Sequence, residues 1–100
     1  MTEMLPSITP GEVLFEEFLE PLGVSQNKLA RDIDVPVGRI NDIIHGRRGI
    51  SADTAVRLGA YFGTTAEFWS NLQSRHDLKK AKTKLQPFLS EMIRPLRAEQ

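Results

Sequence analysis

There is no cysteine among the 100 residues, so no disulfide framework can staple the fold and no thiolate zinc site can form. A reducing compartment is compatible with that. Long apolar runs are missing too: none approaches the roughly 20 residues a bilayer-spanning helix needs. The N-terminus has neither the basic start nor the apolar stretch of a secretion signal. The expectation is a soluble, cytoplasmic chain with no membrane partner. A glycine-rich phosphate loop is absent, and no nucleophile stands in a pattern with a base. His45 and His76 lie far apart, without carboxylates patterned around them as a metal or catalytic site would require. No catalytic residue, metal ligand or cofactor is expected, and the chain does not read as an enzyme.

An excess of charge of one sign is also lacking, with 13 basic residues against 13 acidic. Phosphate neutralisation supplies most of the non-specific affinity of a nucleic-acid binder, so an even balance argues at first against such a partner. The distribution argues otherwise. Residues 1 to 24 hold Glu3, Glu12, Glu16, Glu17 and Glu20 and no Lys or Arg, whereas residues 25 to 50 carry a net +2 and residues 76 to 100 a net +3. The chain is polarised, with an acidic front and a basic middle and tail. One surface could meet DNA and another a basic partner.

What is present is enough apolar content for one modest core in one domain. Its most informative stretch runs from Ser25 to Gly49, where two short amphipathic patterns flank a tight turn. Leu29, Ala30, Ile33, Val35, Ile40 and Ile43 are spaced to pack the two helices crosswise. This is the skeleton of a helix-turn-helix, which places its second helix in the major groove of DNA. Ser25 can cap the first helix, predicted over 26–33. Asp34 falls where the turn needs a left-handed residue, which Asp tolerates. Pro36 suits the first position of the second helix, predicted over 36–45. Short helix pairs also serve as plain scaffolding. The outer face argues for more than that, because Val37, Gly38, Arg39, Asn41, Asp42 and His45, followed by Gly46, Arg47 and Arg48, offer Arg and Asn where mere solubility would favour Glu and Lys.

Around this pair the sequence predicts three more helices. Thr9-Pro10-Gly11-Glu12 forms a capping box for a helix that runs to about Glu20. That helix carries Val13, Leu14, Phe18 and Leu22 on its apolar stripe, and Pro21 and Gly23 end it. Ser51 caps a fourth helix facing inward through Ala55, Val56, Leu58 and Phe62, with Gly63 as its stop. Thr64 and Glu67 form a second capping box for a fifth helix carrying Phe68, Trp69 and Leu72, whose aromatic rings are expected in the core rather than stacked on bases. The expected organisation is a loose arm over residues 1–8, an all-α domain over 9–78 and a basic, amphipathic extension over 79–100. In the extension Leu85, Phe88, Leu89, Met92, Ile93 and Leu96 form one helical stripe, with Pro87 opening the helix and Pro95 ending it. That stripe either folds back on its own domain or packs against a second copy. The two-fold symmetry of DNA readers favours a homodimer.

The residues from about Thr9 to Leu78 resemble the Xre-type helix-turn-helix proteins, and more narrowly the HigA-type antitoxins of bacterial toxin–antitoxin modules. The resemblance rests on three stretches in order: TPGEVLFEEFLEPLGVSQ, LARDIDVPVGRINDIIHGRRGISADTAVRLGAYFGT and EFWSNLQSRHDL. The run from Phe68 to Gln73 is the part least expected in a generic regulator. The resemblance implies a five-helix, lambda-repressor-like domain, here with an additional C-terminal helix. It also implies a dimeric antitoxin that represses its own operon and neutralises a small basic RelE-like ribonuclease toxin. Relatives often carry Gly where this chain has Asp34. A stand-alone Xre-family transcriptional repressor is the alternative.

If the second helix of the pair enters the major groove, Arg39 can bond guanine bidentately, with Asn41 for adenine and Val37 for a thymine methyl. Gly38 lets the backbone come close, and Pro36 starts the helix that does so. Asp42 either accepts from cytosine or orients Arg39. Gln26, Asn27, Lys28, Arg47 and Arg48 are assigned to phosphates, which position without specifying. Glu12, Glu16 and Glu20, with Glu17 beside them, form either a solvated face or a dock for the basic toxin.

Overall fold

The computed structural model of the chain describes residues 8–96, so the arm expected over 1–8 lies outside them except for Ile8. The first helix starts as the sequence requires: the Thr9 hydroxyl accepts from the Glu12 N–H at 3.1 Å, and the Glu12 carboxylate accepts from the Thr9 N–H at 3.0 Å. It then runs through three consecutive stretches, Pro10–Val13, a π-helical Leu14–Leu19 and Glu20–Leu22, together called α1. The π turn was not expected. Pro21 has no N–H for an α ladder, and its ring crowds the carbonyl four residues back. A looser turn just before it accommodates the ring, and there the Glu20 N–H bonds to the carbonyl of Phe15. The extra residue rotates the apolar face. Leu14 and Leu19, five apart, are buried, while Leu22, expected on the stripe, is 61% exposed.

Gly23 closes α1 in the left-handed region, and Ser25 caps α2, Gln26–Ile33, by accepting from the Lys28 N–H. Asp34 takes φ +61 at the turn, as expected. Pro36 is extended and is the N-cap of α3, Val37–Ile44, rather than its first helical residue. Its fixed φ suits the extended turn equally well. Ser51 caps α4, Ala52–Phe62, which faces inward through Thr54, Ala55, Leu58 and Gly59. Val56, expected inside, lies one position off that stripe and is 60% exposed. The cap of α5, Ala66–Leu85, is Thr65 and not Thr64. Thr64 instead uses its hydroxyl to accept the indole N–H of Trp69 at 2.8 Å.

The five helices enclose one core. In it α4 packs along α5, α2 against α3, and α1 against both α3 and α5. Gly11 permits the contact of α1 with α3, because a Cβ there would stand 2.0 Å from the carbonyl oxygen of Ile43. Trp69 is fully buried among Phe18, Phe62 and Phe68, with ring centroids 4.8, 6.0 and 5.0 Å away. Burying such a side chain contributes about 4–6 kcal/mol at ~25 cal/mol per Å². Trp69 is thus core, as expected, whereas Phe68, expected there too, is 38% exposed and packs one ring edge on Trp69 from outside.

The last part of the chain leaves this core. Helix α5 continues past residue 79 to Leu85 and is exposed throughout from Asp77 on. A 3₁₀ turn, Gln86–Phe88, and a short α6, Leu89–Met92, follow in place of the single helix expected there. Pro87 explains the break, since it withdraws an N–H from the ladder. Ile93 is already extended. The radius of gyration of 17.3 Å exceeds the ~13 Å of a compact 100-residue domain, as a projecting tail requires.

Candidate nucleic-acid interface

The turn between α2 and α3 is locked from outside the pair. Arg57 on α4 donates to the carbonyl of Ile33 at 2.7 Å and to that of Asp34 at 3.3 Å, and its Nε donates to Asp53 at 2.7 Å. Asp53 sits near a second guanidinium, that of Arg39, at 3.7 Å. The ion-pair partner of Arg39 is thus Asp53 on α4 and not Asp42, the residue expected either to orient Arg39 or to accept from cytosine. The Asp53–Arg57 pair, four residues apart on one helix, was visible in the sequence; its reach to the turn was not.

Asp42 has another partner. It accepts from Arg47 Nε at 3.1 Å, while Arg47 Nη2 donates to the side-chain oxygen of Asn41 at 2.7 Å. The Asn41 amide in turn donates to Gln26 at 3.3 Å. Four expected site residues from three places in the sequence, Gln26, Asn41, Asp42 and Arg47, thus form one connected polar network on the outer face of α2 and α3. The loop after α3 continues it, because the backbone N–H groups of Arg47 and Arg48 both bond to the Asp42 carbonyl, at 2.8 and 3.2 Å. Val37 is 45% exposed beside them, and a Cβ built on Gly38 would meet nothing within 4 Å. This face is open. Asn27, Pro36 and Arg48 are exposed alongside it, and His45 closes the helix with Nδ1 2.9 Å from the Asn41 carbonyl.

Lys28 stands apart from the network. Its ammonium pairs with Asp32 at 3.0 Å, and Asp32 also accepts the Tyr61 hydroxyl at 2.8 Å. The Tyr61 hydrogen bond, then that of Lys28, holds the Asp32 carboxyl below its ordinary range. The same hydrogen bonds with Asp32 raise Lys28 and Tyr61 above theirs. Lys28 must give up part of this pairing to reach a phosphate.

The glutamates of α1 are all exposed, but the π turn between Glu12 and Glu20 takes them off a single α-helical face. Glu12 is also committed to the cap of its own helix. Among the described residues, no helix is long and apolar enough to cross a membrane.

Comparison with known proteins places the fold and this face in context. A family model described as Helix-turn-helix matches residues 15–69. The Virulence-associated protein I of Dichelobacter nodosus is 51% identical over 77 residues, covering 77% of this chain and 71% of that protein. Antitoxin HigA-1 of Vibrio cholerae is 34% identical over 89 residues, covering 89% of this chain and 83% of its own. A solved structure of the Pseudomonas aeruginosa antitoxin HigA with higBA promoter superposes with a TM-score of 0.87 at 44% identity, covering 92% of this chain and all of that one.

Proposed function

This chain belongs to the helix-turn-helix family, within its group of HigA-type antitoxins, and on that premise we propose that it is the antitoxin of a type II toxin–antitoxin module that represses its own operon as a homodimer. The observation that carries the DNA half is the open face of α3, where Arg39, Asn41 and Val37 lie beside the Gln26–Asn41–Arg47–Asp42 network. Arg39 reads guanine, its guanidinium pre-set by Asp53, so less side-chain freedom is lost on binding. Asn41 reads adenine by exchanging its bonds to Gln26 and Arg47 for bonds to the base. Gln26, Asn27, Lys28, Arg47 and Arg48 hold phosphates and fix the register. Gly38, with nothing packed above it, admits the backbone to the groove floor, and Pro36 sets the start of the helix.

Residues 9–78 form the reading unit and residues 79–100 the pairing extension. Leu85, Phe88, Leu89, Met92, Ile93 and Leu96 are 36–98% exposed in the single chain, and a second copy covers them. The pair then presents two copies of α3 to successive turns of major groove. The toxin half rests on the names of the relatives and on the charge of α1. Glu16, Glu17 and Glu20, with Glu12 at the helix start, steer a small basic RelE-like ribonuclease toxin to this end of the molecule. Pull-down from the native host, with and without competitor operator DNA, tests both halves. The antitoxin reading expects a small basic protein encoded beside this chain to come down with it. A stand-alone repressor would bring down DNA alone.

A further inference from the structure

The HigA-like stretch from Phe68 to Leu78 contains two polar residues, Gln73 and Asp77, that neither the core nor the reading face uses. They meet the loop that carries Arg47 and Arg48. The Gln73 side-chain oxygen accepts the backbone N–H of Ile50 at 2.8 Å, and its amide nitrogen donates to Asp77 at 2.9 Å. A carboxylate accepts and never donates. Asp77 therefore fixes which way the amide points, leaving the oxygen turned toward the loop.

The loop is held differently at its two ends. At its entry, Gly46, Arg47 and Arg48 all give their N–H groups to carbonyls of α3. At its exit the Ile50 side chain is buried, and among the described hydrogen bonds of the backbone from Gly49 to Ile50 the one to Gln73 is what ties it to another helix. Gly49 lies directly on the amide, so that a Cβ there would come within 2.9 Å of the Gln73 nitrogen. Behind the loop, a polar cleft of about 210 Å³, bordered by Thr9, His76 and Lys80, leaves it without packing support on that side. Two glycines give the loop backbone freedom that would have to be lost on binding unless it is already fixed.

We propose that Gln73, oriented by Asp77, is a positioning residue for DNA binding that latches the loop of residues 46–50 onto α5 so that Arg47 and Arg48 stand ready for the phosphate backbone. This rests on the DNA-binding reading above. It assigns a DNA-directed role to a helix outside the helix-turn-helix pair, and links the loop to the same helix that carries the exposed tail.

The test is binding of the full chain to a duplex from upstream of its own reading frame and to random duplex, by fluorescence anisotropy between about 50 and 200 mM salt. Gln73→Leu keeps the volume and removes both hydrogen bonds. It is expected to lower the slope of log K against log salt by about 1 to 2 and to weaken both duplexes about 5- to 30-fold, the loss of one or two phosphate contacts, with the ratio between duplexes unchanged. Asp77→Ala, at an exposed position that tolerates substitution, should act in the same direction, and Asp77→Glu, which still only accepts, should keep the wild-type slope. Hydrogen exchange at the Ile50 amide should quicken in Gln73→Leu and Asp77→Ala. If Gln73→Leu does not fold, the Asp77 pair carries the test alone. An unchanged slope in Gln73→Leu or Asp77→Ala, with a lowered slope when Arg47 and Arg48 are both Ala, overturns the latch and leaves the DNA reading standing. An unchanged slope in that double Arg variant removes the phosphate role of the loop and the latch together.

Discussion

Two regions of this chain carry apolar residues at helical spacing and meet opposite fates. Leu29, Ala30, Ile33, Ile40, Ile43 and Trp69 are buried almost completely, whereas Leu85, Phe88, Leu89, Met92, Ile93 and Leu96 stand in solvent. The spacing is as regular in the second set as in the first. What differs is the neighbourhood: tight turns at Asp34 and Gly63 return the chain on itself within a few residues, while the stripe lies beyond the core, at and after the exposed end of α5. Apolar periodicity measures how much surface must be covered. It does not say whose surface covers it.

The comparison is sharpest in substitutions that remove the same kind of side chain from each region. Trp69→Ala should cost about 3–5 kcal/mol of folding stability in urea titration. Leu89→Glu and Phe88→Glu in the tail should change the unfolding of dilute chain by less than about 0.5 kcal/mol, yet convert the dimer to monomer in sedimentation at micromolar concentration. Equal destabilisation by both kinds of change would break the distinction and make the tail part of its own domain.

On the reading face, Arg39→Ala should lose about 1–3 kcal/mol at one base position of the operator and relax discrimination there. Equal weakening on operator and random duplex would count against base reading. At the opposite, acidic end, Glu16→Lys together with Glu20→Lys should slow association with a basic partner, and added salt should shrink the difference. An on-rate indifferent to both changes leaves that face merely solvated.

The smallest effect belongs to the turn side of the core. Asp32 is held below its ordinary range by Tyr61 and Lys28. Its contribution is therefore present above the unfolded carboxylate value of about 3.9 and is lost as pH falls through the lower folded value. Tyr61→Phe should move the Asp32 titration upward in NMR and flatten that acid limb. An unmoved titration would mean that the hydroxyl does not hold the carboxylate.

Much of the fold was legible because it is written locally. The Thr9–Glu12 box, the caps at Ser25 and Ser51, and the stops at Gly23 and Gly63 each depend on residues within one turn. The misreadings arose where a residue was claimed from elsewhere. Thr64 does not cap because its hydroxyl accepts the indole N–H of buried Trp69, five residues on, and Leu22 leaves the stripe because Pro21 forces a looser turn before it. The candidate site followed the same rule. The residues of α2, α3 and the loop could be named from the helix-turn-helix pattern, but Asp53, Arg57 and Gln73 could not. Each reaches its partner across the fold rather than along the chain.

The central claim is that two copies of α3, paired through the tails, read a symmetric duplex. In vitro selection of random duplexes with the purified full chain tests it most directly. The account predicts an enriched, two-fold symmetric site with half-sites about 34 Å, one helical turn, or a multiple of it apart, relaxed at one position of each half-site in Arg39→Ala and reduced to a single half-site in Leu89→Glu. Selection that enriches no motif, or a motif unaffected by either substitution, would contradict it.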